Sequence, residues 1–163
     1  MVNFLIFGPP GSGKGTQSVR LAEKFNLLHL STGDMLRAEI AAGTELGKKM
    51  SLIMSKGELV PDEVVIEMIA NKIDNSTGSA GFLFDGFPRT VAQTVSLEKM
   101  LNERGMKIDQ MLVLDVDHDE LFKRLIARAE LSGRPDDKDP SVIENRIEVY
   151  KDKTEPIINY CNQ

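Results

Sequence analysis

The residues Gly8-Pro9-Pro10-Gly11-Ser12-Gly13-Lys14-Gly15-Thr16 combine the three things that a bound polyphosphate needs. Glycines let successive backbone N–H groups turn inward toward an anion, a helix N-terminus adds partial positive charge, and Lys14 supplies a mobile cation. The segment follows the apolar run Phe4-Leu5-Ile6-Phe7 and precedes a helical pattern, the strand–loop–helix context of a nucleoside triphosphate loop. Gly11, Ser12, Gly13, Lys14, Gly15 and Thr16 are therefore the candidate triphosphate-binding residues. The alternative is an ordinary glycine-rich turn, which the register of Gly8, Gly13 and Lys14 between strand and helix disfavours. The strict motif puts Ser or Thr directly after the lysine as a Mg²⁺ ligand; here Gly15 stands between Lys14 and Thr16, which narrows the class.

These residues need a sheet to present them. Four short apolar runs, Val2 to Phe7, Leu27 to Leu30, Gly81 to Asp85 and Gln110 to Val116, read as buried parallel strands. Helical patterns separate them at Lys14 to Phe25, Thr90 to Arg104 and Asp117 to Leu131, so the fold class is α/β. Asp117 with Glu120 has the form of an N-terminal capping pair. Asp139-Pro140 places a cap and a first-turn proline before a helix that should kink or stop at Pro156. Residues 32–73 lack a strand and read as helical segments broken at Gly43 and Gly57, a helical insertion. Glu130 to Asp139 is charged and carries turn formers, and reads as a small lid loop; Asn75 to Gly81 is a polar turn.

At 163 residues the chain has room for one core with small lobes attached. A formal charge of −5 with no basic run argues against a nucleic-acid partner. The single cysteine, Cys161, excludes an internal disulfide and a four-cysteine zinc cluster, and fits a reducing cytoplasm. The N-terminal apolar stretch is too short for a signal peptide or a membrane span, so neither membrane nor export is expected. His29 and His118 read as a strand-end and a helix-cap residue, and the eight methionines as core filler.

Four further segments, Ser31-Thr32-Gly33-Asp34-Met35-Leu36-Arg37, Glu58-Leu59-Val60-Pro61-Asp62, Asp85-Gly86-Phe87-Pro88-Arg89 and Gln93, resemble the adenylate kinase signatures in that family's order. The resemblance spans nearly the whole chain. It implies a P-loop parallel sheet flanked by helices (1–31, 74–127 and 140–163), a helical AMP-binding insertion (32–73) and a short lid (128–139). The implied activity is reversible, Mg²⁺-dependent conversion of ATP and AMP to two ADP, serving purine nucleotide homeostasis, in a protein that is by default a monomer. In the Gly-Lys-Gly-Thr form the metal is held mostly through water and substrate oxygens.

Residue roles follow from the same resemblance. Lys14 follows the phosphoryl group in flight, Arg37 and Arg89 hold the AMP phosphate, and Arg124 lies against the ATP base. Arg128 contacts the ATP phosphates, and Arg134 and Arg146 close over the phosphates being exchanged; the catalytic set is Lys14, Arg89, Arg128, Arg134 and Arg146. Asp34 and Asp85 are implied as metal partners through water, with helix capping as the plainer reading. Thr32 and Gln93 correspond to the adenine-selecting positions, where pyrimidine monophosphate kinases carry alanine and asparagine. The AMP pocket is completed by Glu58, the apolar Leu59 and Val60, and Gly86, Phe87 and Pro88.

Arginine usage agrees with a phosphoryl-transfer site. Six of the eight arginines, Arg37, Arg89, Arg124, Arg128, Arg134 and Arg146, fall in or beside these segments, and guanidinium offers planar bidentate donors to phosphate. Arg124 and Arg128 project from one helix face about 6 Å apart. The plainer reading has Glu120 and Glu130 neutralising them on a solvated surface. Asp136 and Asp137 are expected to pair with lid arginines. The resemblance runs out at Gln163, whereas the family continues with a fifth strand, a loop touching the ATP adenine and a terminal helix. That difference predicts weaker ATP affinity and stability. It leaves two alternatives: a nucleotide-binding chain with impaired turnover, and a UMP/CMP kinase.

Overall fold

The computed structural model describes residues 1–161; the last two residues of the 140–163 segment lie outside the described part. Strands β1 (Val2–Phe7), β2 (Leu27–Ser31), β3 (Gly81–Asp85) and β4 (Gln110–Val113) form one parallel sheet in the order β2-β3-β1-β4. β1 is central, with Phe4 level with Leu83 on one side and with Gln110 on the other. Successive side chains of a strand face opposite ways, so Phe4, Ile6 and Leu83 pack on one face and Leu5, Phe7, Phe82 and Phe84 on the other. The first face is covered by α1 (Lys14–Phe25) through Leu21 and Ala22. Buried Asn3 staples the centre: its side chain donates to the Lys107 carbonyl at 2.7 Å and accepts from the Phe82 N–H at 3.1 Å.

The opposite face meets α5 (Val91–Glu103), which contributes Leu97, Met100 and Leu101 to the largest core, and the helical insertion. That insertion comprises α2 (Thr32–Ala41), α3 (Glu45–Ser55) and α4 (Asp62–Asp74). Its helices break where expected, because Gly43 and Gly57 take left-handed φ values of 67° and 74° that L side chains resist. Ser31 caps α2 by accepting from the Asp34 N–H, and Thr44 caps α3 by accepting from the Gly47 N–H at 3.0 Å. A third core, Leu121, Leu125, Ile143 and Ile147, joins α6 (His118–Ser132) to α7 (Pro140–Val149).

Four sequence expectations need correction. β4 ends at Val113 rather than Val116, since β1, against which it pairs, ends at Phe7. Asp117 stands at the N-cap of α6 without a side-chain cap bond; Glu120 turns instead to Arg124, 2.7 Å away one turn along. α6 runs on to Ser132 and closes on Gly133, so the lid loop is shorter than expected and holds one 3₁₀ turn, Pro135–Asp137. The C-terminal helix does not stop at Pro156: α geometry gives way to a π turn at Tyr150–Thr154 just before it, and α8 (Glu155–Cys161) continues beyond. Proline lacks the N–H for an α-type bond, and the wider π turn, with the Glu155 N–H bonded to the Tyr150 carbonyl, lets the chain absorb it. Asp139 does cap α7, accepting from the Ser141 N–H at 2.8 Å with Pro140 in the first turn.

Candidate functional site

The carboxyl ends of β1, β2 and β3 converge on one cleft. β1 runs into the 8–13 loop, closed by a 3.1 Å bond from the Ser12 N–H to the Pro9 carbonyl, and Gly13 at φ 86° starts α1. A side chain at Gly13 or Gly15 would meet nothing within 4 Å, so there is open space beside the loop at both glycines. Gly15 and Thr16 are exposed, and Ser12 is buried with its hydroxyl unpartnered. Gly11 faces α6 instead, close to Leu125.

Lys14 reaches across to β3. Its Nζ lies 2.6 Å from Asp85 Oδ1, and the other carboxylate oxygen is 3.0 Å from His29 Nε2 on β2. Burial by itself would push the Asp85 carboxyl up, yet the His29 hydrogen bond and the Lys14 charge hold it well below the usual carboxylate range. Burial lowers the Lys14 ammonium from its ordinary value, and the charges of Arg89 and Arg146 add to that while Asp85 opposes it. From the sequence His29 reads as a strand-end residue with no part in the site. Strand parity offered a signal, because His29 is two residues before Ser31, the register partner of Asp85.

Beside Lys14 the cleft is lined by Thr32, Gly33, Leu36 and Arg37 of α2, by Met54, Gly57, Glu58, Leu59 and Val60, and by Gly86, Pro88, Arg89 and Gln93. Asp136, Arg146, Tyr150 and Thr154 close it from the other side. Gly86 needs φ 80°, and a Cβ there would lie 2.9 Å from Thr32 Oγ1 and 3.2 Å from an Arg89 nitrogen, so the residue keeps the cleft floor flat. The Gly86 carbonyl accepts from Thr32 Oγ1 at 2.9 Å and from Arg89 Nε at 2.8 Å. Thr154 Oγ1 donates to the Arg89 carbonyl at 2.8 Å. Burial and the neighbouring Arg146 and Arg37 lower the Arg89 guanidinium to about 10, so it remains a cation at neutral pH. Burial likewise raises the Tyr150 phenol, with Glu155 and Asp115 adding, to about 12. Tyr150 and Thr154 come from the π turn, which has no local sequence signature.

Gln93 is almost completely buried, with Oε1 accepting from the Arg89 N–H at 2.7 Å and Nε2 donating to Asp62 Oδ1 at 2.6 Å. Phe87 is placed differently from its neighbours in the motif: its ring packs in the core rather than in the cleft, leaving only its backbone near Gly86 and Pro88.

The remaining arginines divide. Asp137 is buried and accepts from Arg128 at 2.5 and 2.8 Å and from Arg146 at 2.6 Å. Arg146 also lies 3.1 Å from Asp136. The lid carboxylates thus pair with arginines as expected, and Arg128 takes Asp137 rather than Glu130. Burial would raise the Asp137 carboxyl, but the Arg128 hydrogen bonds and the charges of Arg128 and Arg146 hold it below its ordinary value. Arg134 lies 3.8 Å from Asp34, which also accepts from Arg37. The exposed Arg124 pairs with Glu120 outside the cleft.

Asp34 therefore faces guanidinium groups rather than Asp85. Among the described residues no group of three His, Cys, Asp or Glu side chains could hold a metal ion. Both Asp85 oxygens already take nitrogen partners. This donor set suits a divalent cation carried mainly by phosphate oxygens and water rather than a cage of protein ligands. Lys14, Arg37, Arg89 and Arg146 line one cleft, a set of cationic donors chemically suited to an anion such as phosphate.

An adenylate kinase family model matches residues 6–163. The chain is 52% identical over 160 residues to the adenylate kinase of Phocaeicola vulgatus and 51% identical over 160 residues to that of Bacteroides thetaiotaomicron; each alignment covers 98% of this chain and 84% of the relative. It is 49% identical over 162 residues to the adenylate kinase of Maricaulis maris, covering 99% of this chain and 86% of the relative. A loop-borne lysine on a buried strand aspartate, a cleft ringed by arginines and this extent of identity place the chain in the adenylate kinase family, as a phosphotransferase of the nucleoside monophosphate kinase type.

Proposed function

We propose that the chain transfers the γ-phosphoryl group of Mg²⁺-ATP reversibly to AMP, forming two ADP. The observation that carries this reading is the cleft itself, where Lys14 and three arginines, Arg37, Arg89 and Arg146, line the same cavity as Thr32 and Gln93. Transfer between two phosphates needs positioning and charge stabilisation more than proton chemistry. Arg37 and Arg89 hold the acceptor phosphate, and the Gly86 carbonyl fixes Arg89 through Nε. Lys14 exchanges its contact with Asp85 for the triphosphate when nucleotide enters the 8–13 loop. Arg128, Arg134 and Arg146 neutralise charge on the transferring group once Arg128 is released from Asp137, Arg134 from Asp34, and Arg146 from Asp136 and Asp137. Asp85 would hold the Mg²⁺ of the nucleotide through water, and the ion would supply charge stabilisation to the phosphates.

In this reading residues 32–73 form the AMP-binding insertion and 128–139 the lid, on a core of 1–31, 74–127 and 140–163. Thr32, Gln93 and the Glu58–Val60 segment contact the base and its surroundings, Gly86, Phe87 and Pro88 present backbone, and Gly11, Ser12, Gly13, Gly15, Thr16 and Arg124 serve ATP. The protein acts as a cytoplasmic monomer on ATP, AMP and ADP, without nucleic-acid or membrane partners. No described helix is long and apolar enough to cross a membrane.

The test is ADP formation by this chain from ATP with AMP, CMP, UMP or no acceptor, with Mg²⁺ and after its chelation. ADP formed with AMP, dependent on Mg²⁺, is the expected result. Preference for CMP or UMP, or binding of both nucleotides without turnover, refutes it.

A further inference from the structure

We propose that Asp62 sets the base selectivity of the acceptor pocket by locking the Gln93 amide in the orientation that reads a 6-aminopurine and rejects a 6-oxopurine. This rests on the acceptor-site reading above, in which Gln93 faces the base. Asp62 is the first residue of α4 and does not itself line the cleft; it acts through Gln93 of α5. Its negative charge sits at the positive end of the α4 dipole, a favourable position for a carboxylate.

The two anchors of the amide demand the same assignment. A backbone N–H only donates, so the atom facing Arg89 N must be Oε1; a carboxylate only accepts, so the atom facing Asp62 must be Nε2. Turning the amide over would set donor against donor and acceptor against acceptor in a nearly fully buried position. What the locked amide has left is one N–H donor and one oxygen lone pair. The edge of adenine offers N1 as acceptor and N6–H as donor, which match that pair in one orientation. Hypoxanthine reverses both, with N1–H a donor and O6 an acceptor, and matches only the turned amide. With the phosphate held by Arg37 and Arg89 the base cannot move to compensate, so the orientation of Gln93 becomes the selectivity of the pocket.

The experiment compares AMP with IMP, which differs only at this edge, as acceptors of Mg²⁺-ATP for the parent chain, Asp62→Asn, Asp62→Ala, Asp62→Glu and Gln93→Met, with thermal melts of each. The asparagine amide can present either face to Gln93, so Asp62→Asn removes one of the two anchors without removing bulk and leaves the Arg89 N–H as the only remaining bias. The AMP/IMP ratio of kcat/KM should fall about tenfold in Asp62→Asn and Asp62→Ala, equivalent to about 1.4 kcal/mol, with the loss falling on KM for AMP more than on kcat. Asp62→Glu, which keeps the acceptor, should retain most of the ratio. An unchanged ratio in whichever of the Asn and Ala variants folds, while Gln93→Met loses discrimination, overturns the role of Asp62 and leaves the acceptor-site reading standing. Equal losses toward both acceptors also overturn it, since Asp62 would then only tie α4 to α5. An unchanged ratio in Gln93→Met overturns the acceptor-site reading and this inference with it.

Discussion

Replacing Asp137 by alanine should destabilise the protein by about 2–3 kcal/mol, because a single buried carboxylate joins α6 to α7 through two arginines. Asp137 accepts three guanidinium hydrogen bonds, at 2.5 and 2.8 Å from Arg128 and at 2.6 Å from Arg146. Removing one member of a fully buried ion cluster costs about 3–5 kcal/mol. Here the full figure does not apply, since the Arg128 and Arg146 side chains are 33% and 17% exposed and Arg146 keeps Asp136 at 3.1 Å. At about 2–4 °C per kcal/mol for a chain of this size, the melting temperature should drop by roughly 5–10 °C. Asp137→Asn keeps an acceptor and loses the charge, so it should lie between alanine and the parent. Thermal and urea unfolding at neutral pH, followed by circular dichroism, measure this directly. An Asp137→Ala melting temperature within about 2 °C of the parent would refute the argument, by showing that water replaces the carboxylate at no net cost.

Other perturbations test other parts of the site. Arg89→Ala should lower turnover by about 10²–10³-fold, the scale for losing a preorganised donor to developing charge, with the far-ultraviolet spectrum preserved; turnover within tenfold of the parent would remove Arg89 from the reaction. Gly86→Ala forces a side chain into φ 80° and against Thr32 Oγ1 and Arg89, and should raise KM for AMP and cost about 1–3 kcal/mol of stability. An unaltered KM and melting temperature would mean that the cleft floor gives way freely. The Asp85 and Asp137 carboxyls lie below their ordinary value of 3.8 in the folded chain, so the stability they contribute is present above that pH and is lost as pH falls further toward their folded values. Urea midpoints should therefore hold steady from neutrality down to about pH 5 as far as these two groups decide it, and then fall; Asp137→Asn should flatten part of that fall.

The features legible in the sequence are local. The strand–loop–helix around Lys14, the breaks at Gly43 and Gly57, the cap at Asp139 and the alternation of apolar runs with helical patterns all depend on backbone angles and side-chain periods within a few residues. The arginine-rich motifs were legible for the same reason, as residue types at fixed spacing. The tertiary structure decided which distant groups meet. The order β2-β3-β1-β4 places neighbours that are far apart in sequence side by side, and only that register puts Ser31, the end of His29's strand, level with Asp85. Glu130, the partner that the sequence offered for Arg128, stands only two residues along α6 and on a different face; the α6–α7 packing of Leu125 against Ile143 and Ile147 brought Arg128 to Asp137 instead. Gln93 could be singled out from its motif, but not the Asp62 carboxylate that holds it, which lies 31 residues away on another helix. Local geometry is written in neighbouring residues, whereas the partner of a charge or an amide is chosen by which elements the core brings together, and that depends on the whole chain at once.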